Sequence, residues 1–157
     1  MALEFSQETL KNFNDIVARY PKKEAAMLPV LYLAQEEFGY LSSEVIDYVA
    51  GIMEIPSARL YGLATFYTML RLKPIGKYHI QICHTLSCVL AGSERITDLL
   101  SKKLGIGVGE TTSDGRFTLT EVECIASCGT GPVIQINEET YEGLSEKKVE
   151  EILQALR

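Results

Sequence analysis

Four cysteines, Cys83, Cys88, Cys124 and Cys128, carry the plainest capacity for chemistry in this 157-residue chain, and they are all the cysteines it has. They form two close pairs, Cys83-His-Thr-Leu-Ser-Cys88 and Cys124-Ile-Ala-Ser-Cys128, with 35 residues between the pairs. Thiols so arranged can hold a metal centre, close two disulfides, or pack as small buried hydrophobes. A chain of this length can build its core without disulfides. The start, Met1-Ala-Leu-Glu-Phe-Ser6, lacks both a basic region before an apolar run and the Arg-rich character of a transit peptide. A cytoplasmic setting is therefore expected, where cysteines stay reduced and the balance moves toward metal.

The spacing narrows the metal. Zinc ribbons and redox dithiols use C-x2-C, whereas these pairs are C-x4-C and C-x3-C. C-x4-C is one half of the plant-type [2Fe-2S] pattern. Four thiolates around such a core leave it anionic, more so once reduced, so hydrogen-bond donors must line its pocket. Gly129 and Gly131 supply backbone that can take positive φ and bring N–H groups close to sulfur, with Ala126, Ser127 and Thr130 small enough to let the loop close. His84 does not make a Rieske centre, which needs two histidines in place of two cysteines. A zinc-stabilised binding module and purely structural cysteines stay open at this point.

The elements that must position these residues fall into two regions. Gln7 to Tyr20 reads as an amphipathic helix with Ser6 as N-cap, Leu10, Phe13, Val17 and Tyr20 on one face, and Pro21 closing it. A second helix runs from Lys22 to Phe38 and stops at Gly39, with a kink or a late start at Pro29 and a core stripe of Leu28, Leu31, Tyr32 and Gln35. Ser42 or Ser43 caps a third helix carrying Val45, Ile46, Val49 and Ala50. Pro56-Ser57 starts a fourth with Leu60, Leu63, Ala64 and Tyr67 at helical spacing. The third and fourth could mimic a helix-turn-helix, but the would-be recognition helix offers only Arg59 as a cation. The chain carries a net charge of −6, split evenly at −3 on each side of Leu72, which argues against nucleic acid and anionic membrane surfaces as partners.

Lys73-Pro74-Ile75-Gly76 ends the helical character, which places a boundary between residues 1–72 and 73–157. Lys77 to Ile82 alternates Tyr78, Ile80 and Ile82 with polar residues and runs into Cys83 as a strand. Val89 to Leu104 reads as one helix with Leu90, Ile96, Leu99 and Leu100 inward. Gly105 to Gly109 follows a helix, and Glu110 stands where a third glycine would belong, so it is a turn and not a dinucleotide loop. Arg116 to Glu123 is a second strand leading into a cysteine. Val133–Asn137 and Thr140–Tyr141 form a hairpin turning at Glu138-Glu139, and Ser145 caps a last helix to Leu156. The order β-α-β-β-β-α implies a small α/β or α+β sandwich with both cysteine pairs after strands, where loops can converge at one end of a sheet. No apolar run approaches the roughly 20 residues of a membrane-spanning helix.

Further segments carry a resemblance: Leu28-Pro-Val-Leu-Tyr-Leu-Ala-Gln35 with Phe38-Gly39-Tyr40-Leu41, Ala64-Thr-Phe-Tyr-Thr68 through Lys73-Pro74-Ile-Gly76-Lys77-Tyr78, and Gly109-Glu-Thr-Thr112 with Asp114-Gly115. With the C-x4-C loop and Val122-Glu-Cys124-Ile-Ala-Ser-Cys128-Gly129 ending in Gly131-Pro132, the chain resembles, over nearly its whole length, the thioredoxin-like [2Fe-2S] subunit of the NADH-dehydrogenase module of respiratory complex I. The resemblance implies an α/β protein with an N-terminal helical bundle followed by a thioredoxin-like domain. It implies one [2Fe-2S] cluster on Cys83, Cys88, Cys124 and Cys128, and no catalytic side chain of the chain's own. The implied partner is a flavoprotein subunit that binds NADH and FMN and exchanges single electrons with this cluster, within the peripheral arm of the complex. The chain is then cytoplasmic, peripheral to the inner membrane through that complex, inactive toward NADH alone, and docked through its helical region. The same subunit type serves NAD-linked hydrogenases and formate dehydrogenases. One departure is His84, where the family often has a small polar residue; protonation beside an anionic cluster would be favoured there.

Overall fold

The computed structural model describes residues 3–156, which divide into two compact units, the first ending at Pro74 and the second beginning at Ile75. The first unit is helical. Helix α1 (Gln7–Val17) begins at Ser6, whose hydroxyl accepts the Thr9 N–H at 3.2 Å. It ends three residues before the expected Tyr20, and its buried side is Thr9 and Phe13 rather than the full predicted face, since Leu10 and Tyr20 are exposed. The expected second helix starts late: a 3₁₀ turn (Lys23–Ala26) precedes α2 (Met27–Phe38). Pro29 thereby falls in the first turn, where a missing N–H costs no helical hydrogen bond. Gly39 ends α2 at φ 82°, its N–H returning to the Gln35 carbonyl at 2.8 Å.

Helix α3 (Ser43–Met53) is capped by Ser42, and α4 (Ser57–Phe66) follows Pro56. Val30, Leu31, Val49 and Leu60 are fully buried where α2, α3 and α4 meet. Gln35 is a polar member of this core. Its amide nitrogen donates to the Met69 carbonyl at 3.1 Å and its oxygen accepts the Arg71 N–H at 2.6 Å, tying the segment after α4 to α2. Phe5, Phe38 and Tyr48 close one end as stacked and edge-on rings.

The second unit is a four-stranded sheet of order β2-β1-β3-β4, made of β1 (Tyr78–Cys83), β2 (Phe117–Val122), β3 (Ile134–Ile136) and β4 (Glu139–Tyr141). β1 and β2 are parallel in register Tyr78 to Phe117 through Cys83 to Val122, while β3 runs antiparallel to both β1 and β4. Ile80, Ile82, Leu119 and Ile134 are buried, as the alternation in β1 anticipates. The helix expected from Val89 to Leu104 is broken into α5 (Leu86–Leu90) and α6 (Ser93–Leu104) by Gly92 at φ 100°. The break resets the helical phase, so Leu90, expected inward, is 79% exposed, while Ile96 and Leu100 keep their place in the core. The hairpin turns at Asn137-Glu138 instead of Glu138-Glu139: Asn137 takes φ 54°, which asparagine tolerates better than glutamate, and Glu139 opens β4. Ser145 caps the last helix, α7 (Glu146–Ala155). Among the described residues no helix is long and apolar enough to cross a membrane.

Candidate metal centre

The parallel pairing of β1 and β2 decides where the cysteines lie. Cys83 is the last residue of β1 and faces Val122, the last of β2, so the chain leaves both strands at the same edge of the sheet. After β1 it passes through Thr85 into α5, which carries Cys88. After β2 it enters the loop that holds Cys124 and a 3₁₀ turn, Cys128–Thr130. The His84 N–H bonds the Val122 carbonyl at 3.1 Å, and the Cys83 N–H bonds the Val133 carbonyl at 3.2 Å, so both exits are stitched to their neighbours. Cys83 and Cys88 are buried with Val133, and Cys124 and Cys128 are exposed.

The sulfurs are met by donors. Cys83 Sγ lies 3.2 Å from the Thr85 hydroxyl, and the N–H groups of Thr85 and Ile125 also point at it. Burial opposes the Cys83 thiolate, but these donors and the Cys88 thiol outweigh it and bring its pKa down to about 7. Burial pushes Cys88 up to about 11, helped by the proton it shares with Cys83 and by the charges of Cys83 and Cys128, against the Val133 N–H that favours its thiolate. In the outer loop the Ala126 N–H donates to Cys124 Sγ at 3.3 Å. Ile125 thus belongs to one cysteine loop and serves a sulfur of the other.

Backbone geometry in the outer loop differs from expectation. Neither Gly129 nor Gly131 has positive φ; the left-handed residue is Ala126, at φ 61°, and that conformation turns its N–H back on Cys124. Gly131 packs against the inner cysteine: a Cβ there would lie 3.4 Å from Cys88 Sγ and 3.4 Å from Ala91 Cβ, at the tight end of ordinary contact. Around Gly129 an added Cβ meets nothing within 4 Å.

These observations test the fit to a binuclear iron-sulfur cluster. Such a cluster asks for two thiolates per iron, N–H donors toward sulfur, and a backbone that can approach closely. The inner pair, the outer pair, the donors from Thr85, Ile125, Ala126 and Val133, and the close approach of the Gly131 backbone to Cys88 fit that demand. Among the described residues no three His, Cys, Asp or Glu side chains are gathered closely enough to hold a metal ion together. The four cysteines and the need for donors are legible in the sequence, but the particular donors are not, because backbone N–H direction is invisible in residue type. His84 is beside Glu123, its Nε2 3.5 Å from the carboxylate, and not turned into a ligand set.

Residues 13–157 match the family of thioredoxin-like [2Fe-2S] ferredoxins. The chain belongs to that family. Among the relatives of this ferredoxin, an NADH-quinone oxidoreductase subunit of Rickettsia felis is 47% identical over 152 residues, 95% of this chain and 91% of that protein. The subunit of the same name in Rickettsia prowazekii is 46% identical over 153 residues, covering 96% and 86%. An NADH-quinone oxidoreductase subunit of Rhizobium meliloti is 41% identical over 140 residues, covering 89% and 83%. A crystal structure of an air-oxidised NAD+-reducing [NiFe]-hydrogenase superimposes with TM-score 0.73 at 18% identity, over 83% of this chain and 22% of that one. The ferredoxin fold, with helices ahead of the sheet, is thus shared with a protein of distant sequence.

Proposed function

We propose that this chain is the iron-sulfur electron-transfer subunit of an NADH:quinone oxidoreductase, with Cys83, Cys88, Cys124 and Cys128 holding one [2Fe-2S] cluster. The observation that carries this reading is the set of N–H donors aimed at three different sulfurs from two loops that leave the same sheet edge. Relatives at 41–47% identity over 89–96% of the chain are named as subunits of that oxidoreductase, which gives the electron transfer its context. When bound, the cluster supplies reversible one-electron chemistry.

The chain's own residues do the rest. The Thr85, Ile125 and Val133 donors stabilise anionic sulfur, β1 and β2 hold the two loops at a fixed spacing, and Val133 and Ile125 keep water from the inner pair. The outer pair stays exposed, which leaves a short path to a partner's redox group. That partner is a flavoprotein subunit holding FMN and NADH, and residues 1–72 form the docking bundle ahead of the ferredoxin domain at 73–157. Phe66 is 76% exposed and Met69 49% exposed in the helical unit, apolar surface that an oligomeric complex would cover. Through such a complex the chain sits on the cytoplasmic side of the membrane, and alone it oxidises no NADH.

The purified full-length chain is expected to be coloured, with iron and acid-labile sulfide in equal amounts and an electron paramagnetic resonance signal that appears on reduction. A colourless protein containing zinc and no sulfide would overturn the assignment in favour of a zinc-stabilised binding module. Phe66→Asp with Met69→Asp should keep the colour and lose co-purification with the flavoprotein.

A further inference from the structure

Thr85 occupies the position just ahead of α5, with φ −79° and ψ 163°. Ser6, Ser42 and Ser145 hold the same place on α1, α3 and α7 with ψ of 160°, 167° and 163°, and each turns its hydroxyl onto the N–H three residues on. Thr85 has the residue type and the backbone for such a cap, yet it makes no capping bond. Its hydroxyl lies instead 3.2 Å from Cys83 Sγ and makes no other hydrogen bond among the described residues.

The contact acquires a direction on ligation. In the metal-free chain either the hydroxyl or the thiol can donate, and the thiol has a second acceptor in the Glu123 carbonyl at 3.7 Å. A thiolate ligand carries no proton, so beside it the hydroxyl can only donate. Cys83 is buried and Thr85 half-buried, which limits competition from water, and a donor to an anionic acceptor makes the stronger kind of hydrogen bond. Among the described residues this is the one side-chain hydroxyl bonded to a cysteine sulfur, whereas the Ala126 contact to Cys124 comes from backbone. Reduction leaves the cluster more anionic, so a donor to its sulfur favours the reduced form.

We infer that Thr85 raises the reduction potential of the centre through Cys83, its hydroxyl withheld from the end of α5 and given to the sulfur. The inference rests on the proposed cluster ligation. As a group that acts through Cys83, Thr85 is a positioning residue and not a ligand.

The test uses the full-length, cluster-loaded chain, with the midpoint potential read by a redox titration followed by electron paramagnetic resonance, and with urea unfolding of the same variants. Thr85→Val removes the hydroxyl at nearly constant shape. At a fixed potential it should move the reduced-to-oxidised ratio about three- to tenfold toward oxidised, a midpoint lower by about 30–60 mV. Its urea midpoint should stay near wild type, because no cap is lost. Thr85→Ser keeps the donor and should hold the wild-type potential, and Thr85→Ala gives the same reading as valine where the valine variant fails to hold the cluster. An unchanged potential in the valine and alanine variants, or a serine variant that falls as far as they do, overturns the inference and leaves the cluster assignment standing. Lower urea stability with no change in potential also overturns it, since the hydroxyl would then serve the helix. A wild-type chain with neither iron nor sulfide removes the ligation itself, a failure of the proposed function that is separate from these.

Discussion

The helical unit and the sheet unit solve different problems with different parts of the residue. In the first, position is set by side chains: Leu31, Val49 and Leu60 fill a core, and even its polar member, Gln35, works through its side-chain amide. In the second, the site is set by main chain: N–H groups of Ile125, Ala126 and Val133 aimed at sulfur, and glycines where backbone must approach closely. Side-chain packing tolerates many apolar sequences of about the right volume. A cradle of N–H donors tolerates few changes of path, so the second unit should be fragile at positions that look bland.

The sharpest break in that comparison comes from the ligands themselves. Cys124→Ala and Cys83→Ala, one exposed and one buried, are each expected to abolish the colour and remove the iron, while helicity by circular dichroism stays close to wild type. Iron content retained at the wild-type level in either variant would remove that cysteine from the ligand set. Next in size is Leu31→Ala. The residue has no exposed surface, and a cavity there should lower unfolding free energy by about 2–5 kcal/mol in urea titrations. The cluster's visible spectrum should be untouched in the folded protein, since the cost lies wholly in the other unit.

Gly76→Ala tests the opposite kind of position. A methyl group there would sit 2.8 Å from the Arg116 carbonyl carbon and the Phe117 nitrogen, backbone atoms that cannot swing away, and Gly76 N–H donates to the Thr118 hydroxyl at 2.6 Å. One added carbon should cost about 1–3 kcal/mol. Stability equal to wild type would show that the strand β2 entry yields, and that the sheet unit is less dependent on close main-chain approach than its geometry indicates.

Much of this was legible in the sequence, and the limit is physical. The caps at Ser6, Ser42 and Ser145, the strands leading into cysteines, and the strand and helix order follow from side-chain type and period. Gly76 reads in the sequence as punctuation after Pro74, because nothing in residue type reveals that a strand segment 40 residues later presses against its α-carbon. Gly129 and Gly131 are the residues of this loop that can take positive φ most easily, yet the loop places Ala126 there. Leu90 reads as core because the apolar period continues through Gly92, whose left-handed conformation breaks it. Each of these differences is a main-chain event.

The smallest effect belongs to Glu37, which joins α1 to α2 in the helical unit by side-chain hydrogen bonding alone. Its carboxylate accepts from the Thr9 hydroxyl at 2.7 Å and from the Ser6 N–H at 3.0 Å. The Thr9 bond first, then the Ser6 bonds, lower its pKa from the ordinary carboxylate value against slight desolvation. A carboxyl that ionises more readily in the folded chain stabilises the fold above its unfolded pKa, about 4.3, and loses that contribution as pH falls through the lower folded value. Glu37→Gln should therefore be slightly less stable than wild type at pH 7, with the two melting temperatures converging as pH drops below about 4. A gap that persists unchanged into acid would mean that the amide fails for steric reasons and that the charge of Glu37 contributes nothing. The side-chain logic of the helical unit would then extend to this carboxylate only as shape.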